Sequence, residues 1–186
     1  DDLVVSEIRI DQSGTDVDEF CELRGIPGAW LDGVSSLVLG DGSAGDSGYV
    51  EAWVDLSGNT IPSSGYFVVA EDTFTLAVAD LYANLNFENS DNVTHMIVSG
   101  FTGDIGTDVD TNDDGTIDNP AWNAIIDIVA VLETCTEPPI STEWAYGDEI
   151  IPPNGSYVAG GAWRCEPNDT WVIADFYDTS IGHTPG

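Results

Sequence analysis

Apolar and polar residues alternate along this chain in short runs, and the runs are separated by Gly, Pro, Ser, Asn and Asp. Half-buried strands joined by turns leave this pattern. Leu3–Ile10 sets Val4, Ile8 and Ile10 against Val5, Glu7 and Arg9, imperfectly, and closes on Asp11-Gln12-Ser13-Gly14. A second strand over about 17–24 puts Cys21 and Leu23 on one face with Glu19, and Phe20 and Glu22 on the other. After a loop rich in Gly and Pro at 25–33, strands are predicted at Ser36–Leu39, Tyr49–Leu56 and Tyr66–Ala70. Residues 72–87 are less regular and fit either a helical turn or a crossing loop. Val93–Val98 returns as a strand. Ile125–Leu132 is apolar apart from Asp127 and predicts a central strand covered on both faces. The proline-containing stretch 137–155 reads as a long connection, followed by short strands at Ser156–Ala159, Ala162–Arg164 and Thr170–Ala174. Strands this short and this close predict an all-β sandwich or barrel in one domain spanning 1–186.

Composition narrows the setting. The chain carries 34 acidic residues against three arginines (Arg9, Arg24, Arg164) and no lysine, for a formal net charge of −31. Such a surface repels phosphate backbones and anionic bilayers, which excludes nucleic acid as a partner. No apolar run approaches the ~20 residues that span a membrane, so no membrane insertion is expected. Self-repulsion at this charge favours bound cations or high salt. The start at Asp1, without methionine, reads as a processed, exported product with an extracellular or cell-surface location. Cys135 and Cys165 fall among loop residues and are expected to form a disulfide, leaving Cys21 buried and unpaired. Three reduced thiols are the competing reading.

The densest acidic stretch runs from Asp104 to Asp118. Its core, Asp110-x-Asn112-x-Asp114-Gly115-Thr116-x-Asp118, follows the first nine positions of an EF-hand-type loop: oxygen side chains at 1, 3 and 5, glycine at 6, a carbonyl at 7 and an acid at 9. A hard cation needs six to eight oxygens at ~2.3–2.6 Å, so alternate side chains must converge while the glycine turns the backbone. Calcium is therefore the expected cofactor, with Asp108, Asp110, Asn112, Asp114, Thr116 and Asp118 as ligands. Position 12 is Ala121, so a further ligand must come from Asp108, Asp127 or Glu133. A solvated acidic hairpin loop is the alternative.

Catalytic signals are weak. His95 lies in an apolar run and reads as a satisfied strand residue, and no serine sits in a Gly-x-Ser-x-Gly elbow. Gly40-x-Gly42-x-x-Gly45 leads into another strand rather than a helix, so it reads as a turn. The six tryptophans read as core and inter-sheet packing, with a sugar-binding face as the alternative. The chain is accordingly expected to be non-catalytic.

The order of elements resembles a family. Val5-Ser6-Glu7-Ile8, then Asp18-Glu19-Phe20-Cys21-Glu22-Leu23, is similar to the opening of the lamin tail domain in bacterial exported proteins. The likeness continues through Trp30-Leu31-Asp32-Gly33-Val34, Val54-Asp55-Leu56-Ser57-Gly58 and Ile61-Pro62-x-x-Gly65-Tyr66-Phe67-Val68-Val69, and resumes at Ala162-Trp163-Arg164 and Thr184-Pro185-Gly186. Ser6, Cys21 and Arg24-Gly25 depart from the family pattern, and Phe87–Thr94 with the acidic loop resembles an insertion found in a bacterial subset. The resemblance implies an immunoglobulin-like β-sandwich. The expected function is a calcium-stabilised structural or adhesive subunit of a cell surface, matrix or filament. Its partners would be copies of itself, through an N-terminal strand pairing with a neighbour's sheet edge, or other surface proteins. A carbohydrate- or envelope-protein-binding module, of the kind found beside secreted hydrolases and nucleases, is the alternative.

Overall fold

A computed structural model describes residues 3–42, 44–85, 87–135, 144–155, 157–165 and 168–174. They form a β-sandwich. In chain order the strands are β1 (Val4–Arg9), β2 (Phe20–Arg24), β3 (Val34–Asp41), β4 (Ser47–Asp55), β5 (Tyr66–Ala70), β6 (Leu81–Tyr82), β7 (Val93–Ser99), β8 (Ala124–Val131), β9 (Ile150–Ile151), β10 (Gly161–Cys165) and β11 (Thr170–Ile173). One sheet has the order β11-β10-β1-β2-β5-β6 and the other β4-β3-β7-β8-β9. Pairing is antiparallel except where β6 joins β5 and β9 joins β8.

The main core lies between the sheets, where β1 faces β7 and β8. Cys21, Leu23, Phe67 and Val69 enter it from the first sheet, and Val38, Val54, Ile97 and Val129 from the second. Burying each such aliphatic side chain contributes on the order of 1.5–3 kcal/mol. Phe20 points the other way, as its alternation with Cys21 predicts. With Val68, Ala70, Phe74 and Ala79 it forms a small core on the outer face of the first sheet. Residues 72–80 form the lid of that core and contain no helix among the described residues. Asp18 fastens the lid by accepting from the Thr75 N–H at 2.6 Å and its hydroxyl at 2.9 Å.

Several sequence expectations are corrected. A bulge between Val5 and Glu7 shifts the register of β1, so Val5 rather than Val4 joins Ile8 and Ile10 in the core. β1 lies between β2 and β10 within its own sheet, so its edges are already used and it has none to offer a neighbour. β8 is covered only toward its C-terminal end. β9 is two residues long and pairs with Ala130 and Val131, which leaves Ala124 and Ile125 exposed. Residues 157–159 make only an isolated bridge between Tyr157 and Asn154, and Ser156 lies outside the described residues. The expected Cys135–Cys165 disulfide is not formed. Both thiols are free, on segments that follow a strand of the second sheet and end a strand of the first, while Cys21 is buried and unpaired as expected. The tryptophans divide: Trp171 packs against the inter-sheet core, Trp53, Trp122 and Trp144 lie partly buried in the core on the outer face of the second sheet, and Trp30 is 69% exposed. His183 and the closing Thr184-Pro185-Gly186 lie outside the described residues.

Candidate metal centre

The acidic loop is a cover over the second sheet. Val109, Ile117, Phe101 and Trp122 pack with Leu37, Leu39, Val50, Met96 and Val98 from the sheet's outer face, beside Tyr146 and Trp144. The loop also closes the first half of the β4 edge. Gly106 N–H donates to the Val50 carbonyl at 2.7 Å, Val50 N–H to Thr107 at 2.9 Å and Val109 N–H to Gly48 at 2.9 Å. An exposed strand edge is thereby paired.

Asp110, at the first position of the calcium-like register, is completely buried. Its carboxylate accepts from the Asp114 N–H at 3.2 Å, the Gly115 N–H at 2.9 Å and the Tyr146 hydroxyl at 2.9 Å. The following turn is thus wound around one carboxylate. Gly115 has φ 81°, and a Cβ there would lie 2.4 Å from the Trp144 ring, so only glycine fits. Asp113 also sits in the left-handed region, at φ 52°. Its side chain accepts from the Ser47 N–H at 3.0 Å and its carbonyl from the Trp144 indole at 2.9 Å. Asp113 was not among the expected ligands. Its positive φ is of a kind Asp tolerates, and its tether to Ser47 spans 66 residues that local spacing cannot reveal.

The other predicted ligands are placed unequally. Asn112, Asp114, Thr116 and Asp118 are exposed on the turn. Asp114 accepts from the Thr116 N–H and the Asn112 amide, and Asp118 from the Thr111 N–H and hydroxyl. Asp108 accepts from the Asp110 N–H at 3.1 Å. Its pKa is raised by partial burial and by the charges of Asp113, Asp110 and Asp118. Of the three residues considered for the missing ligand, Asp108 alone is tied to the loop. Asp127 points to the opposite face of β8, where it accepts from the Val5 N–H and pairs with Arg164 at 3.0 Å. Glu133 belongs with the acids around Asp91. Among the described residues, no group of three or more His, Cys, Asp or Glu side chains already converges as a metal cage.

The arginines serve elsewhere. Arg24 pairs with Asp169 at 2.7 Å, and Arg164 bridges Asp127 and Glu149 under the Trp171 ring. Arg9 is shared among Asp18, Glu7, Asp11 and Asp16. His95 is buried in β7 with neither ring nitrogen hydrogen-bonded, which corrects the expectation of a satisfied residue. Desolvation lowers its pKa to about 3, so it stays neutral. The Gly40–Gly45 segment belongs to the β3–β4 hairpin, with Gly45 N–H donating to the Gly42 carbonyl and no phosphate-binding helix following. No family model, curated protein or solved structure matches the chain.

Proposed function

We propose that this protein is an exported, non-catalytic β-sandwich that binds calcium in the 104–118 loop and serves as a structural or adhesive subunit of a cell surface, matrix or filament. The observation that carries the reading is the buried Asp110, which gathers a turn bearing Asp108, Asp113, Asp114 and Asp118 while all three arginines are engaged elsewhere. Negative charge concentrated in this way, with no cationic side chain to balance it, favours a bound divalent cation. The order of oxygen residues around Gly115 favours calcium in particular. The likeness to lamin tail domains, with the immunoglobulin-like connectivity it implies, supports a structural role.

Assembly with further copies belongs to the same reading, through calcium held between acidic surfaces rather than through β1. Size-exclusion chromatography and electron microscopy with calcium and with EDTA test it. Calcium is expected to raise the thermal midpoint and promote larger species, and a monomer with an unchanged midpoint in both buffers overturns both parts.

Trp30 favours a second reading. It is 69% exposed on the 25–33 loop, which also carries Ile26 at 55% exposed, and an exposed indole is a stacking surface for a sugar ring. Glycan-array binding that disappears in Trp30→Ala would support a carbohydrate-binding module, whereas binding that survives the substitution rejects this face.

A further inference from the structure

At one end of the sandwich, residues 87–92 cross from the first sheet to the second, between β6 and β7. Phe87 is buried in the main core and its ring packs T-shaped with that of His95, the centroids 4.8 Å apart, so this crossing closes the core over a buried imidazole. Carboxyl groups flank it on both sides. From the first sheet, Glu19 is buried and accepts the Phe87 N–H at 3.0 Å, and Asp16 accepts the Asn89 amide at 3.3 Å. Glu71 and Asp16 face Glu19, and Asp16 also faces Asp11. From the second sheet, the Glu51 side chain lies over Gly40, where a Cβ would come within 2.2 Å of Glu51 Oε2. That oxygen is buried with no hydrogen-bond partner. A buried unpaired carboxylate oxygen is costly when charged and far less so when the group is neutral.

We propose that the 87–92 crossing is a proton latch: the buried carboxyl of Glu19, which accepts the Phe87 N–H, holds it while neutral, the Glu51 carboxyl on the second sheet stays neutral with it, and ionisation of the two releases the crossing. The charges facing these groups act in one direction. Glu71 and Asp16 face Glu19, while Glu88, Asp41 and Asp91 face Glu51, and Glu133 adds to the field at Asp91. Arg9 stands near Asp11, Asp16, Asp18 and Glu7. Burial, reinforced by these neighbours, raises Glu19 to about 8 and Glu51 to about 7, and it raises Asp91 and Asp11 to about 6. An acid whose folded pKa lies above its unfolded value stabilises the fold fully below the unfolded value, and this contribution is lost as pH rises through the folded one. The latch is therefore shut near pH 5 and opens between about pH 6.5 and 8.5. This inference is independent of calcium in the 104–118 loop.

Amide hydrogen exchange in EDTA across pH 5.5 to 9, corrected for intrinsic exchange, tests it. Protection of residues 87–92 is expected to fall at least tenfold as pH rises, while the central strands β2 and β7 hold theirs. In the double variant E19Q/E51Q, which imitates the neutral side chains and keeps an acceptor for the Phe87 N–H, protection is expected to stay level. Wild-type protection that does not change with pH overturns the latch even if the variant fails to fold. A folded variant that loses protection as wild type does overturns the assignment to Glu19 and Glu51.

Discussion

Two acid-rich regions of this molecule meet their negative charge in opposite ways. In the 104–118 loop, carboxylates face N–H and O–H donors: Asp110 holds two backbone amides and a phenol, and Asp114 and Asp118 each hold the N–H of a neighbouring turn residue. At the 87–92 crossing, carboxyl groups face one another, and Glu51 has an oxygen with no donor at all. Donors favour the ionised form, whereas burial among like charges favours the neutral one. On the reading proposed above, the first arrangement leaves excess charge for a metal ion to meet and the second leaves it for a proton. Acid count alone does not distinguish them. What the oxygens touch does.

The largest effect expected separates two aspartates of the loop. Asp110→Ala strips a buried acceptor from three donors, and at about 1–3 kcal/mol for each donor left unsatisfied the loss is on the order of 3–5 kcal/mol after relaxation. It should appear in denaturant unfolding with EDTA as well as with calcium. Asp114→Ala, at an exposed position, should cost less than about 1 kcal/mol in EDTA. Equal losses for the two variants in EDTA would remove the distinction between a framework carboxylate and a ligand.

Calcium itself ranks next. A ligand that binds only the folded state at a hundred times its dissociation constant adds about 2.7 kcal/mol. Wild type should gain this increment in calcium at constant ionic strength, and Asp114→Ala should lose most of it. If magnesium or sodium gives the same gain, diffuse screening of the negative charge explains the effect and the loop is not a specific site.

How much of this was visible in the sequence differs between the same two regions. The turn was legible because its six oxygen-bearing positions and its glycine fall within eleven consecutive residues, and Asp110 accepts from the Asp114 and Gly115 N–H groups of that turn. The depth of Asp110 was not legible, since Tyr146 arrives from 36 residues downstream of it and Trp144 from 31 downstream of Asp113. The latch left no local mark: Glu19 and Phe87 are 68 residues apart, and Glu51 reads as an ordinary outward residue of β4. Strands declared themselves by alternation, as for Cys21 and Leu23 in Phe20–Arg24, or as short apolar runs bounded by turn residues, as in Tyr66–Ala70. The bulge at Val5 broke that alternation by a single residue and reversed a face. The two-residue β9, set by parallel pairing with Ala130 and Val131 inside a proline-containing connection, has no periodicity to read.

The third effect is the pH dependence of folding, which the latch gives a definite sign. Wild type in EDTA should lose on the order of 2 kcal/mol between pH 5.5 and 8.5, a figure already reduced for the solvent that reaches these carboxyl groups. Urea unfolding across that range measures it, and E19Q should flatten the slope. A steeper pH slope in Asp114→Ala than in wild type would mean that the loop and not the crossing titrates.

The smallest effect sharpens the comparison at one atom. Gly40→Ala places a methyl group where Glu51 Oε2 now lies, and the obstacle is the end of a flexible side chain, so the carboxylate swings toward water rather than the strand breaking. The expected cost at pH 5.5 is about 1 kcal/mol, at the lower end for an added methyl in a filled space. At pH 8.5 the sign reverses relative to wild type, because a solvated Glu51 no longer resists ionisation and the variant forgoes a penalty that wild type suffers. Unfolding curves of the two proteins plotted against pH should therefore converge or cross between pH 6 and 8. Parallel curves would mean that the Glu51 carboxylate reaches water in wild type too, and that the second sheet contributes nothing to the latch.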